Sequence, residues 1–136
     1  MTSRQKELVR ASFERLKPIA DTAAALFYAR LFELDPELSL IFKGNMVEQG
    51  RKLIKMIAVA VTGLDRLNEL LPTLEALGAR HISYGVREHD YETVGNALIW
   101  AIQELLGDDF TVEIKEAWAE VYGLLASAMQ TATIAA

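Results

Sequence analysis

The sequence predicts an all-α protein: a single domain over residues 1–136, made of seven or eight helices with short connections. Two observations predict it. Apolar residues recur at spacings of three and four almost throughout the chain, and no segment shows the strict alternation of a half-buried strand. Helix start and stop residues also fall between the periodic stretches. A chain of 136 residues, 51% apolar and 24% charged, is long enough for one domain with a substantial core.

The elements follow in order. Thr2 with Gln5 three residues on reads as a capping box, so a first helix begins near Ser3 with Val9, Phe13 and Leu16 as its stripe. Pro18 then disturbs it. A second helix covers about Asp21 to Leu34, with Ala24, Phe27, Tyr28 and Leu31 on one face. Asp35-Pro36-Glu37 starts a short helix: an N-cap, proline at the first position and an acid in the first turn. It ends before Lys43-Gly44-Asn45. From about Glu48 a helix carries Leu53, Met56, Ile57, Ala60, Val61 and Leu64 inward. Pro72 opens the next, with Leu74, Leu77 and His81 on one face, and Gly85 stops it. Another starts near Asp90, with Val94, Ala97, Leu98, Ala101, Ile102 and Leu105 inward, until Gly107-Asp108-Asp109 breaks it. The last starts near Thr111 and carries Ile114, Trp118, Val121, Tyr122, Leu125 and Met129.

Composition excludes several functions. The formal net charge is −5 and there is no basic stripe, which disfavours nucleic acid and anionic membranes. With no cysteine there are no disulfides, thiolate metal sites or thioether-attached cofactors. The polar N-terminus lacks an apolar signal region, and no apolar run is long enough to cross a bilayer, so a cytoplasmic location is expected.

Few residues are placed to carry chemistry. His81 shares a helical stripe with Leu74 and Leu77. An inward histidine is ordinarily a core residue with a satisfied hydrogen bond, and one imidazole is too few for zinc. Haem, which brings four nitrogens of its own, needs only one such ligand. His89, within the polar run Arg87-Glu88-His89-Asp90, reads as a surface or capping residue. Tyr28 sits in an apolar segment, and its hydroxyl needs a partner if buried. Gln49 by itself reads as solvated, and Phe42 as packing.

The stretches LFYARLF (26–32), DPELSLIF (35–42), EQGRKL (48–53), LGARHISYGV (77–86), HDYETVGNAL (89–98) and AWAEVYG (117–123) taken together resemble the bacterial single-domain haemoglobins. They are also similar to the globin domain of flavohaemoglobins and to the small methanotroph globins of the Hell's Gate type. Their order and spacing cover essentially the whole chain. The resemblance implies a globin fold around a b-type haem, iron protoporphyrin IX, and maps roles residue by residue. His81 matches the proximal iron ligand and Phe42 the ring that stacks on the haem. Tyr28 and Gln49 match the distal polar pair that faces bound gas, and Leu53 the apolar residue crowding it. Tyr91 matches the tyrosine near the proximal histidine. Val86, Val94 and Leu98, with Leu77 one turn before His81, are expected in the pocket, and Lys52 and Arg80 as propionate contacts.

The resemblance further implies O2, NO and CO as ligands. It implies high-affinity O2 binding for storage or delivery, with nitric oxide dioxygenation as the enzymatic alternative and gas sensing as a third. Two departures bear on this. Flavohaemoglobins carry a reductase after the globin, whereas this sequence stops at Ala136, so repeated turnover calls for a separate reductase. They also place a glutamate in the last helix, where alignment from Trp118 and Tyr122 gives Thr133 here. A neutral hydroxyl cannot supply the same anionic push on His81, which weighs against peroxidase-like chemistry. Gln49 neither titrates near neutrality nor ligates iron well, so no internal sixth ligand is expected. The oligomeric state is left open.

Overall fold

A computed structural model describes residues 1–42, 44–83 and 89–135, with only the helical backbone described at 81–83 and 131–135. The expected Gly85 stop therefore lies outside the described residues. Among the described residues there are six α-helices and four short 3₁₀ segments, and no strand.

Helix α1 (Ser3–Leu16) begins at the expected capping box: the Gln5 N–H donates to Thr2 Oγ1, and the Thr2 N–H donates to Gln5 Oε1. Its buried face is Val9, Ser12, Phe13 and Leu16. Pro18 turns the chain through a 3₁₀ segment, Lys17–Ile19, into α2 (Ala20–Leu34). Asp35 caps the next segment by accepting from the Glu37 N–H. That segment, Pro36–Leu40, is 3₁₀ rather than α. Helix α3 (Met46–Thr62) starts two residues earlier than expected. The Asn45 side chain, read from sequence as part of a break, accepts from the N–H groups of Val47 and Glu48 and caps the helix.

The largest departure is at Pro72. It was expected to open a helix, but it lies inside α4 (Leu67–Ser83). A 3₁₀ segment, Leu64–Arg66, leads directly into Leu67, so the helix is already under way when the proline is reached. The missing N–H would have bonded the carbonyl of Asn68, an exposed residue whose carbonyl water can serve. Downstream packing holds the helix together across this gap. Leu74 is buried, and Gly78 lets α4 lie against the backbone of α6 (Val112–Ala135): a Cβ there would run into the Met129 carbonyl. Helix α5 (Asp90–Leu106) begins where expected. Thr111 caps α6, its hydroxyl accepting from the Ile114 N–H.

Two apolar clusters form the core. One joins α1, the end of α3, α5 and α6 through Phe13, Val61, Ile102 and Trp118. The other joins α2, the 36–40 segment and α5 through Phe27, Tyr28, Leu31, Leu38, Ala97 and Ala101. The first contains one polar element. Trp118 Nε1 donates to Ser12 Oγ at 2.8 Å, and that hydroxyl donates back to the Leu8 carbonyl at 2.7 Å. Around the rim, Lys6 and Arg10 both bond Asp65, holding its carboxyl below the usual range, and Arg15 pairs with Asp109. These pairs are exposed and contribute little.

Ser12→Ala removes the acceptor of a buried indole N–H. The expected loss is about 1–3 kcal/mol of unfolding free energy in urea, and less for Ser12→Ala in a Trp118→Phe background.

Candidate functional site

The site is built where α2, the corner at 36–42, α3 and α5 meet. Tyr28 lies on the buried face of α2, 8% exposed, one residue after Phe27. Its ring meets Phe42 edge-on, with centroids 5.2 Å apart, and stacks with Phe32 at 6.0 Å. Phe32 and Phe42 are themselves 5.6 Å apart. Phe32 was not among the sequence candidates, although it stands one helical turn after Tyr28, where two side chains share a face.

The close crossing of α2 and α3 places the distal candidates together. A Cβ at Gly50 would lie 2.7 Å from Ala24 Cβ, so only glycine admits this approach. Next to it, the Tyr28 hydroxyl donates to the Gln49 carbonyl at 3.4 Å, a long bond that holds the hydroxyl only weakly. Burial pushes the Tyr28 pKa from 10.0 up to about 12. The hydroxyl is therefore a neutral donor at physiological pH.

Leu53, Val94 and Leu98 pack against the same cluster as Tyr28 and Phe42. They are half-buried, as are Ile54, Met56 and Ile57, while Ala60 and Val61 at the end of α3 are fully buried. The inward stripe of α3 thus divides: Leu53 packs beside Tyr28 and Phe42, Ile54 and Ile57 pack against the Phe13 and Trp118 cluster, and the end of the stripe is closed in the core. Leu77 on α4 is half-buried and Tyr91 on α5 is buried. Lys52 and Arg80 are at the surface. His81 lies on the backbone of α4, in register with Leu74 and Leu77; its side chain and the whole of Val86 lie outside the described residues. Tyr28, Phe42, Gln49, Leu53, Val94 and Leu98 are therefore brought together, while the proximal assignments rest on the register of α4.

His89 is a surface residue at the start of α5, 3.4 Å from the buried Asp90 carboxylate. It caps through its backbone position, without a side-chain capping bond. With Asp35 these two residues bring ligand atoms within 4.8 Å of one another, and Asp35 also caps the 36–40 segment.

The Globin family model matches residues 25–129, which includes every site candidate from Tyr28 to Leu98. The chain belongs to the globin family. Among its relatives is the flavohemoprotein of Bacillus subtilis, 32% identical over 90% of this chain and 31% of that protein. The chain thus spans about a third of such relatives. The neuroglobin of Tetraodon nigroviridis is 30% identical over 95% of this chain and 90% of its own length. Among solved structures, an engineered carbene transferase made from a candidate nitric oxide dioxygenase of Rhodothermus marinus is 28% identical. It covers 99% of this chain and 95% of its own, with a TM-score of 0.88.

Globin membership implies haem and diatomic gas ligands, and the residues present fit that group. A flat apolar macrocycle needs an extended apolar wall, and Leu53, Val94 and Leu98 present half-buried apolar surface. A gas ligand needs few donors, and Tyr28 is a neutral one set among aromatic rings. No helix among the described residues is long and apolar enough to cross a membrane.

The raised Tyr28 pKa carries a stability consequence. The folded state keeps this proton to higher pH than the unfolded chain, so its stabilising effect is whole below pH 10 and is lost as pH rises towards about 12. Urea unfolding measured across that window is expected to show a shallower loss of stability in Tyr28→Phe than in the parent.

Proposed function

We propose that this globin binds haem b through His81 and holds O2 with high affinity, for storage or delivery. Haem supplies an iron that binds diatomic gases reversibly and requires one protein ligand. The side chains do the rest. Phe42 and the apolar set Leu53, Leu77, Val86, Val94 and Leu98 hold the macrocycle and exclude water. Lys52 and Arg80, at the surface, suit the carboxylates of its propionates.

The observation that carries the reading is the Tyr28 hydroxyl. It is buried, keeps its proton, and among the described residues is engaged only by a 3.4 Å bond to the Gln49 carbonyl. Such a donor can turn to a polar gas ligand at little cost, and Gln49 supplies a second amide donor that stays neutral. Each partly charge-assisted hydrogen bond to the ligand is worth about 1.5–3 kcal/mol. Tyr28→Phe is therefore expected to speed O2 dissociation by roughly 10- to 100-fold in stopped-flow displacement by CO. A rate equal to the parent would remove Tyr28 from the distal role.

Similarity to flavohemoproteins and to the engineered protein from Rhodothermus marinus favours a second reading, nitric oxide dioxygenation with a separate reductase. The same donors would hold O2 for reaction with nitric oxide and stabilise developing negative charge. Mixing the oxygenated protein with nitric oxide, then following re-reduction in the same sample, separates the two. With O2 binding as the main role, re-reduction by cellular reductases is expected to be slow; rapid, repeated turnover would reassign the protein as an enzyme.

A further inference from the structure

Helices α4 and α6 pack against one another, but not equally along their length. At Gly78 α4 lies directly on the backbone of α6. Nearer the start of α4 the walls stand apart around a cleft of about 320 Å³, at the lower end of the range for small-molecule pockets. Leu71 and Leu74 line it from α4, and Leu124, Leu125 and Ala128 from α6. Leu71 and Leu124 are 40% and 39% exposed, so the mouth is apolar and open to water. Among the described residues, Asn68 is the one polar residue of the lining.

This cleft has a polar end and a sign of charge. Pro72 has no N–H, so the Asn68 carbonyl lacks its helical donor and is left to accept from another group. Glu75 stands one turn after Leu71 and Glu120 one turn before Leu124, one on each wall. Both are exposed, and among the described residues neither is in an ion pair. Each helix has a single lysine or arginine, Arg80 on α4 and Lys115 on α6. Arg80 lies nine residues from Leu71, and Lys115 nine from Leu124, which at about 100° per residue is half a turn away from the cleft face. Arg66 lies outside α4, in the 3₁₀ segment before it.

We propose that this cleft binds a small hydrophobic amine in its ammonium form. The alkyl body lies along the leucines. The ammonium, at the mouth, donates to the Asn68 carbonyl and is drawn by Glu75 and Glu120. A carboxylate on the same body has no proton to donate and meets two like charges. An alcohol can donate but gains nothing from the glutamates. The cleft shares no lining residue with the pocket around Tyr28, so it stands independently of the haem assignments.

The test titrates the haem-loaded protein with butyl-, hexyl- and octylammonium, below the concentrations at which they aggregate, and follows backbone amide NMR shifts. Shifts are expected over residues 67–75 and 120–128, with affinity rising about fourfold per added methylene. Octanoate is expected to bind about tenfold more weakly than octylammonium, with octanol between them. Glu75→Gln combined with Glu120→Gln is expected to bring octylammonium down to the level of octanol. Pro72→Ala gives the Asn68 carbonyl its helical N–H and favours the helix, and is expected to weaken octylammonium and octanol about fivefold while leaving octanoate unchanged. Ala128→Leu, which fills the cleft, is expected to abolish binding in a protein that keeps its helical circular dichroism. Equal affinity for octanoate and octylammonium would overturn the choice of ligand, and so would Pro72→Ala binding both donors as the parent does. Undiminished binding in folded Ala128→Leu would place the ligand elsewhere and overturn the site. A parent that shows no shift with any of the amines, but dimerises in sedimentation through these helices, would make the cleft an interface between copies instead.

Discussion

The approach of α3 to α2 at Gly50 and Ala24 is the constraint on which the site depends. Helices that cross on ordinary side chains stand 8–10 Å apart. A glycine at the crossing removes one layer of atoms and lets the main chain of α3 reach the side chains of α2. This is why the Tyr28 hydroxyl meets a backbone carbonyl, that of Gln49, rather than another side chain. It also sets how Leu53, one turn on from Gln49, packs against the cluster around Tyr28. A bulkier residue at position 50 would move the donor, its partner and the apolar wall together.

A second glycine solves a similar problem between α5 and α6. At Gly95 the ring of Tyr122 takes the place of a side chain and bonds main-chain oxygen. Gly50 makes room for Ala24, one turn before Tyr28, and Gly95 for the ring of Tyr122 itself. Both tyrosines are buried enough that their hydroxyls stay protonated well above neutrality. The structure thus places neutral donors in apolar surroundings, where a hydrogen bond is strong and an ionised group would be unfavourable. The charged side chains in pairs with Asp65, Asp109 and Glu113 lie at the rim, where they leave this environment undisturbed.

Much of the fold was legible because it follows from local chemistry. The capping box at Thr2 and Gln5, the Asp35 cap, the break at Gly107 and the helix start near Thr111 are formed by groups within a few residues of one another, and all appear as expected. Pro72 misled because its local preference is to start a helix, whereas the helix was begun upstream and secured downstream by Leu74 and Gly78 against α6. Asn45 misled for the converse reason: asparagine serves equally in a turn and as an N-cap, and only the backbone direction after it decides between them. In the site, Tyr28, Phe42 and Leu53 were legible from ordered motifs. Phe32 could have been found from its spacing to Tyr28.

By itself the sequence determined the all-α class, most helix boundaries and, through the order of its motifs, the globin family. These depend on spacing along the chain, which one strand of residues displays in full. The tertiary structure decided which groups touch. It paired the Tyr28 hydroxyl with the Gln49 carbonyl and the Tyr122 hydroxyl with the Tyr91 carbonyl, and it shared the α3 stripe between two core clusters, Leu53 in one and Ile54 and Ile57 in the other. These outcomes follow from how closely helices approach. That distance is set by small residues on one helix meeting residues on another far away in sequence, Ala24 at Gly50 and Tyr122 at Gly95, which no periodicity within either helix reveals.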